Sequence, residues 1–84
     1  MRLLFSAVMA LFALPAVAET RCAVPQDQWR PVEALKAELT ARGWTISNVK
    51  TEDGCYEVYG KDETGKRVEI FFDPASFQAV GADD

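Results

Sequence analysis

The two cysteines, Cys22 and Cys55, are the residues of this chain whose type and spacing come closest to a chemical device. Two sulfurs admit three uses: a redox couple, a metal site or a covalent crosslink. A catalytic redox couple is normally a Cys-x-x-Cys pair, and these two are far apart in sequence. A tetrahedral zinc site needs four ligands, and the chain has no histidine to add to two thiolates. The crosslink remains. In an exported chain two cysteines have one intramolecular pairing, Cys22 to Cys55. Closing a loop of roughly 34 residues removes about 3–4 kcal/mol of unfolded-state freedom in the chain-entropy model.

Carboxylates are the next candidates. Glu57 and Glu69 fall at alternate outward positions of adjacent strand-like runs, which raises a carboxylate pair for hydrolysis. Solvated charge on an open sheet face explains them more simply. No histidine is available as a general base, and the nucleophile-plus-base pairings of hydrolases are missing. Asp62 and Glu63 sit in a loop too short for the spaced oxygen ligands of a calcium hand, and turn chemistry accounts for Asp62 and Gly65. The reading is therefore of a chain that is not an enzyme, with no cofactor and no metal.

The elements that must hold these residues begin after an address. Met1-Arg2, the apolar run Leu3 to Leu14 and the small-x-small end Ala16-Val17-Ala18 have the layout of a secretory signal peptide over 1–18, cleaved after Ala18 into a periplasmic or secreted product. The apolar run is shorter than the ~20 residues that span a bilayer. The remaining 66 residues hold eight basic and thirteen acidic side chains, a formal charge of about −5. Such a balance argues against nucleic acid or an anionic membrane as partner. One small domain fits this length, and its core needs a staple.

Residues 19–30 read as an extended arm, with Pro25 and Gln26-Asp27-Gln28 opposing regular structure. A helix follows, with Pro31 at its first position and Gly43 just past its end. Val32, Leu35 and Leu39 make its apolar stripe, with Ala34 and Ala41 beside it, and Glu38 can pair with Arg42. Three strand-like runs come next: Trp44 to Lys50, Cys55 to Gly60 and Lys66 to Phe72, separated by turns at Glu52-Asp53-Gly54 and Asp62 to Gly65. Asp73-Pro74 stops the third. Weak strand character returns at Phe77 to Val80, before an acidic tail, 81–84. The domain proper is thus 31–80, an α+β fold with one helix on a three-stranded, or four-stranded, antiparallel sheet.

A three-residue loop with Gly65 left-handed sets Val58 opposite Ile70 and Tyr56 opposite Phe72, with Val68 on the same, helix-covered side. The other face carries Cys55, Glu57, Tyr59, Arg67, Glu69 and Phe71. The first hairpin stays ambiguous. A two-residue Asp53-Gly54 loop turns Val49 to the core and Ile46 away, a longer loop does the reverse, and a bulge or two partly covered faces would resolve the conflict.

The "ARGW" helix end, the "VKTEDGCYEVYGKDETGKRVEIFFDP" hairpin pair and the preceding "CAVPQDQW" resemble the small periplasmic proteins of the PepSY family. The resemblance runs from Cys22 to about Val80. It departs from the pattern after Asp73-Pro74, where family members often have a Thr-Gly turn and this chain has Ala75-Ser76-Phe77. The resemblance implies a helix on a small antiparallel sheet and a non-catalytic module, of a kind proposed to bind or inhibit peptidases.

For a partner, the open face is the expected site, through Glu57, Tyr59, Arg67, Glu69 and Phe71, a mixed aromatic and charged set of the type enriched at interfaces. The alternative is that the arm, drawn over by Cys22–Cys55, covers these aromatics. Two functions follow: a module binding a protein, with a peptidase as the suggested partner, or a structural or sensory envelope component binding a small ligand or touching the cell envelope. Trp29 and Trp44, at the two helix ends, are expected in the core. The oligomeric state is not legible in the sequence.

Overall fold

The computed structural model describes residues 21–82. The signal-peptide reading of 1–18 lies outside the described residues. Among the described residues one α-helix, α1 (Val32–Ala41), packs on one face of a four-stranded antiparallel sheet of β1 (Thr45–Glu52), β2 (Cys55–Lys61), β3 (Arg67–Phe72) and β4 (Ala79–Ala82), in the spatial order β1-β2-β3-β4. Every connection within the sheet is between neighbours, so the strands form a simple meander.

The helix begins one residue later than the proline pattern suggests. Pro31 is extended, with φ −62° and ψ 144°, and caps the helix from outside while its carbonyl accepts the Ala34 N–H at 3.0 Å. The far end closes with the paired bonds of a Schellman motif: Gly43 N–H to the Thr40 carbonyl at 2.9 Å and Trp44 N–H to the Leu39 carbonyl at 3.0 Å. Leu35 and Leu39 are buried and Val32 and Ala34 pack beside them, but Ala41 faces solvent. Glu38 pairs with Arg30 at 3.7 Å, in place of the expected Arg42, because the incoming chain brings Arg30 over the helix. The arm is not wholly extended either. Gln26–Gln28 form a 3₁₀ turn, and the Trp29 indole N–H donates back to the Val24 carbonyl at 2.9 Å, closing the segment on itself.

The main core lies between helix and sheet: Leu35, Leu39, Tyr56, Val58, Phe72 and Phe77. The two tryptophans brace its ends. Trp29 meets Tyr56 edge-on at 5.3 Å, and Trp44 meets Phe72 at 5.9 Å while donating to Glu63 Oε2 at 2.7 Å. The β2–β3 register is the one set by Gly65, with Val58 opposite Ile70 and Tyr56 opposite Phe72.

The first hairpin settles its ambiguity with a bulge. Asp53 and Gly54, both at positive φ (53° and 74°), make a two-residue turn that pairs Glu52 with Cys55 and sets Val49 opposite Val58 on the core side. Strict alternation would then send Ile46 outward. An extra residue, Ser47, intervenes between the Ile46–Gly60 and Asn48–Tyr59 pairs and returns Ile46 to the core. The bulge needs Gly60. A Cβ there would stand 2.1 Å from the Thr45 carbonyl oxygen and 3.1 Å from the Ile46 Cα, both of them backbone atoms without room to move aside. Gly60→Ala is therefore expected to cost about 2–3 kcal/mol, as overpacking does. A urea midpoint unchanged from wild type would show that the bulge can relax.

Candidate functional site

The face away from the helix holds the residues expected to act. It divides into a closed end and an open end. At the closed end Cys22 and Cys55 are joined, with Cα atoms 5.2 Å apart, and together with Phe71 they form a second buried cluster. The crosslink seats the arm on the first hairpin. Cys22 N–H bonds the Asp53 carbonyl at 3.1 Å, and the Arg21 guanidinium lies over the Phe71 ring, 4.2 Å from its centroid, with Asp53 3.9 Å away. A guanidinium stacked on an aromatic face shields it from water and is attracted by the ring quadrupole.

Two of the five expected partner-facing residues are therefore not on the surface. Phe71 is 2% exposed, and Glu57 has no accessible surface. Both are covered within the domain: the arm roofs Phe71, and Glu57 lies enclosed between Lys50 of β1 and Phe71 of β3, its cross-strand neighbours. The hydrolytic pairing of Glu57 with Glu69 fails for the same reason, since an enclosed carboxylate has no face open to substrate.

Glu57 is held in an unequal way. Its Oε1 accepts the Tyr59 hydroxyl at 2.8 Å, and its Oε2 has no hydrogen-bond donor. Burial pushes the Glu57 carboxyl up from its ordinary value of 4.5, and the neighbouring Glu52 adds to the rise against the opposing Tyr59 hydrogen bond. The Tyr59 hydroxyl is raised in turn by its bond to Glu57. The Lys50 ammonium, 5.0 Å from the Tyr59 ring centroid, is raised by its contact with that tyrosine. Neither Lys50 nor the buried state of Glu57 has a signature in residue spacing; strand alternation predicts only that both face away from the helix.

At the open end the sheet presents Tyr59, half-buried, beside Glu69 opposite it and the exposed Arg67. Together with Ser47, Lys61 and Val68 they line a shallow groove of about 440 Å³. Its rim is fixed by the second turn. Asp62 Oδ1 accepts the Thr64 hydroxyl at 2.6 Å and the Thr64 and Lys66 N–H groups at 2.9 and 3.1 Å, which holds its carboxyl below the usual range, with the Thr64 hydroxyl the largest cause. The Ser47 hydroxyl donates to the Tyr59 carbonyl at 3.0 Å, tying the bulge to the same place. The groove can bind and orient a mixed polar group; it assembles no nucleophile with a base.

The described residues contain no helix long and apolar enough to cross a membrane. The buried disulfide and the family matched below fit an extracytoplasmic location. No curated protein and no solved structure matches the chain. One family does: the peptidase propeptide and YPEB domain family, PepSY_2, matches residues 2–83, nearly the whole sequence. With its one helix on an antiparallel sheet and a match of that length, the chain belongs to the PepSY family of peptidase propeptide and YPEB domains.

Proposed function

We propose that the domain is a non-catalytic binding module of the secreted or periplasmic space that docks on a protein partner, a peptidase, through the open end of the sheet face. Membership in a family of peptidase propeptide domains supports the class of partner. The observation that carries the choice of site is the groove itself, where the cross-strand pair Tyr59 and Glu69 lies next to the cross-strand pair Lys61 and Arg67. Tyrosine and arginine supply large contact area and directed hydrogen bonds, which is why they dominate binding energy where interfaces have been dissected. The rigid hairpin below them means that little order has to be created on binding.

The site differs from the one expected from alternation alone, because Phe71 and Glu57 support it from within. The experiment follows from that difference. The disulfide-bonded protein is immobilised and exposed to an extract of the cell envelope, alongside Tyr59→Ser/Arg67→Ser. A peptidase retained by the wild type and lost from the double variant is the expected result. Equal retention by both moves the contact to a sheet edge or the helix, and retention of small ligands alone favours an envelope component without a peptidase.

A further inference from the structure

We propose that the enclosed carboxyl of Glu57 is a proton-binding site of the folded domain, so that the fold is most stable in mild acid and loses stability as the pH rises. The geometry behind this is the enclosed carboxylate with one oxygen unserved. Oε1 receives the Tyr59 hydroxyl at 2.8 Å, while Oε2 is buried with no donor. A buried acceptor without a partner is costly, and more so when it is charged.

The groups around it cannot relieve that cost by themselves. From β1 come Lys50 and Glu52. Lys50 is drawn over the Tyr59 ring and favours the ionised carboxyl, while Glu52, a second carboxylate of the neighbouring strand, disfavours it. From β3 come Phe71, directly opposite, and Glu69, opposite Tyr59. The arm contributes Arg21, stacked on Phe71 with Asp53 beside it. The described part of β4, Ala79–Ala82, has no ionisable side chain. A metal ion is a poor occupant. Among the described residues no group of three or more ligating side chains gathers. A proton on Oε2 needs no further ligand. It removes the charge that enclosure penalises, and with it the repulsion from the Glu52 carboxylate.

The sign follows from where the proton is held more tightly. The folded state keeps it above 4.5, the ordinary value at which the unfolded chain releases it. Stability is complete below that value and falls as pH rises toward the folded midpoint, with the folding constant dropping by up to about tenfold per pH unit. Asp62 and Asp73 are held below their ordinary value of 3.8, Asp73 chiefly by the Ser76 N–H, so their titration lies outside this window.

Two readouts test it on the folded, disulfide-bonded protein. The side-chain carboxyl resonance of Glu57, followed by NMR in the wild type, is expected to titrate clearly above 4.5; a midpoint at or below that value overturns the proposal. Denaturant midpoints of wild type and Glu57→Gln between pH 5 and pH 8.5 are expected to diverge, the wild type weakening with pH and the variant staying level, so that the variant is the more stable at pH 8.5. The same slope in both proteins contradicts the site even if the variant is weaker throughout.

Discussion

Replacing both cysteines, Cys22→Ala/Cys55→Ala, is expected to lower stability by about 3–4 kcal/mol. The loop they close spans a sequence separation of 33, and that amount is what releasing such a loop returns to the unfolded chain. A domain of this size has about 5–10 kcal/mol in total, so the loss brings it near the edge of folding at 37 °C. The effect in the native state is also local. Cys22 and Cys55 are two of the three members of the cluster on the arm side, and the third, Phe71, keeps its cover only while Arg21 stays in place. Hydrogen exchange at the Cys22 amide, which is bonded to the Asp53 carbonyl, should speed up more than exchange at Leu39 or Val58. Chemical denaturation measures the first quantity. A loss below about 1 kcal/mol would mean that the arm docks without its covalent tie, and that the staple is dispensable.

The second large effect belongs to Phe77. It is 4% exposed, fills the core beside Phe72 and Tyr56, and lies beneath the Arg30 guanidinium, 4.0 Å from the ring centroid. It also sits at φ 62°, a left-handed conformation that a side chain makes costly. The turn enforces this. Asp73 accepts the Ala75 and Ser76 N–H groups at 2.8 and 2.9 Å through Oδ1, its carbonyl accepts the Phe77 N–H at 2.8 Å, and its N–H reaches the Gln78 carbonyl at 2.8 Å. Phe77→Ala keeps the strain and loses the ring, at about 3–5 kcal/mol. Phe77→Gly loses the ring and the strain together. Glycine is ordinarily the weaker replacement, but here it is expected to be the more stable of the two by about 1 kcal/mol. The reverse order in thermal or urea unfolding would show that the turn does not impose its φ. A glycine adopts this conformation freely. This chain trades that freedom for a core aromatic.

These two sites also mark what the sequence makes legible. The helix, the three principal strands, the β2–β3 register and the Cys22–Cys55 pairing all follow from short-range rules: period 3.6, period 2, turn residues and pairing arithmetic. The Ser47 bulge is legible as a conflict, since no unbulged register satisfies both Ile46 and Val49. Other features depend on contacts between distant segments. Arg21 reads as one more polar residue of an arm until the disulfide carries it over Phe71. Glu57 reads as a solvated outward glutamate until Lys50, Phe71 and the arm close around it. The last strand is displaced for a related reason: Phe77, which suits a strand by composition, is diverted into the core by the Asp73 turn, so that pairing starts at Ala79 and runs to Ala82.

The proposed partner site is half legible in the same sense. Tyr59, Arg67 and Glu69 can be placed on one face by alternation, and the structure keeps them open there. Alternation does not tell which part of a face a neighbouring segment will roof, so it places Glu57 and Phe71 beside Tyr59 without showing that both are buried.

The most direct test of the proposed function is a calorimetric titration of the captured, purified peptidase with the disulfide-bonded wild type and with Tyr59→Ser/Arg67→Ser, after matched unfolding midpoints have shown that both are folded. Saturable wild-type binding is expected, weakened by about 3 kcal/mol in the variant, roughly a hundredfold in Kd. Equal affinities for the two proteins would contradict the assignment of binding to the open end of the sheet.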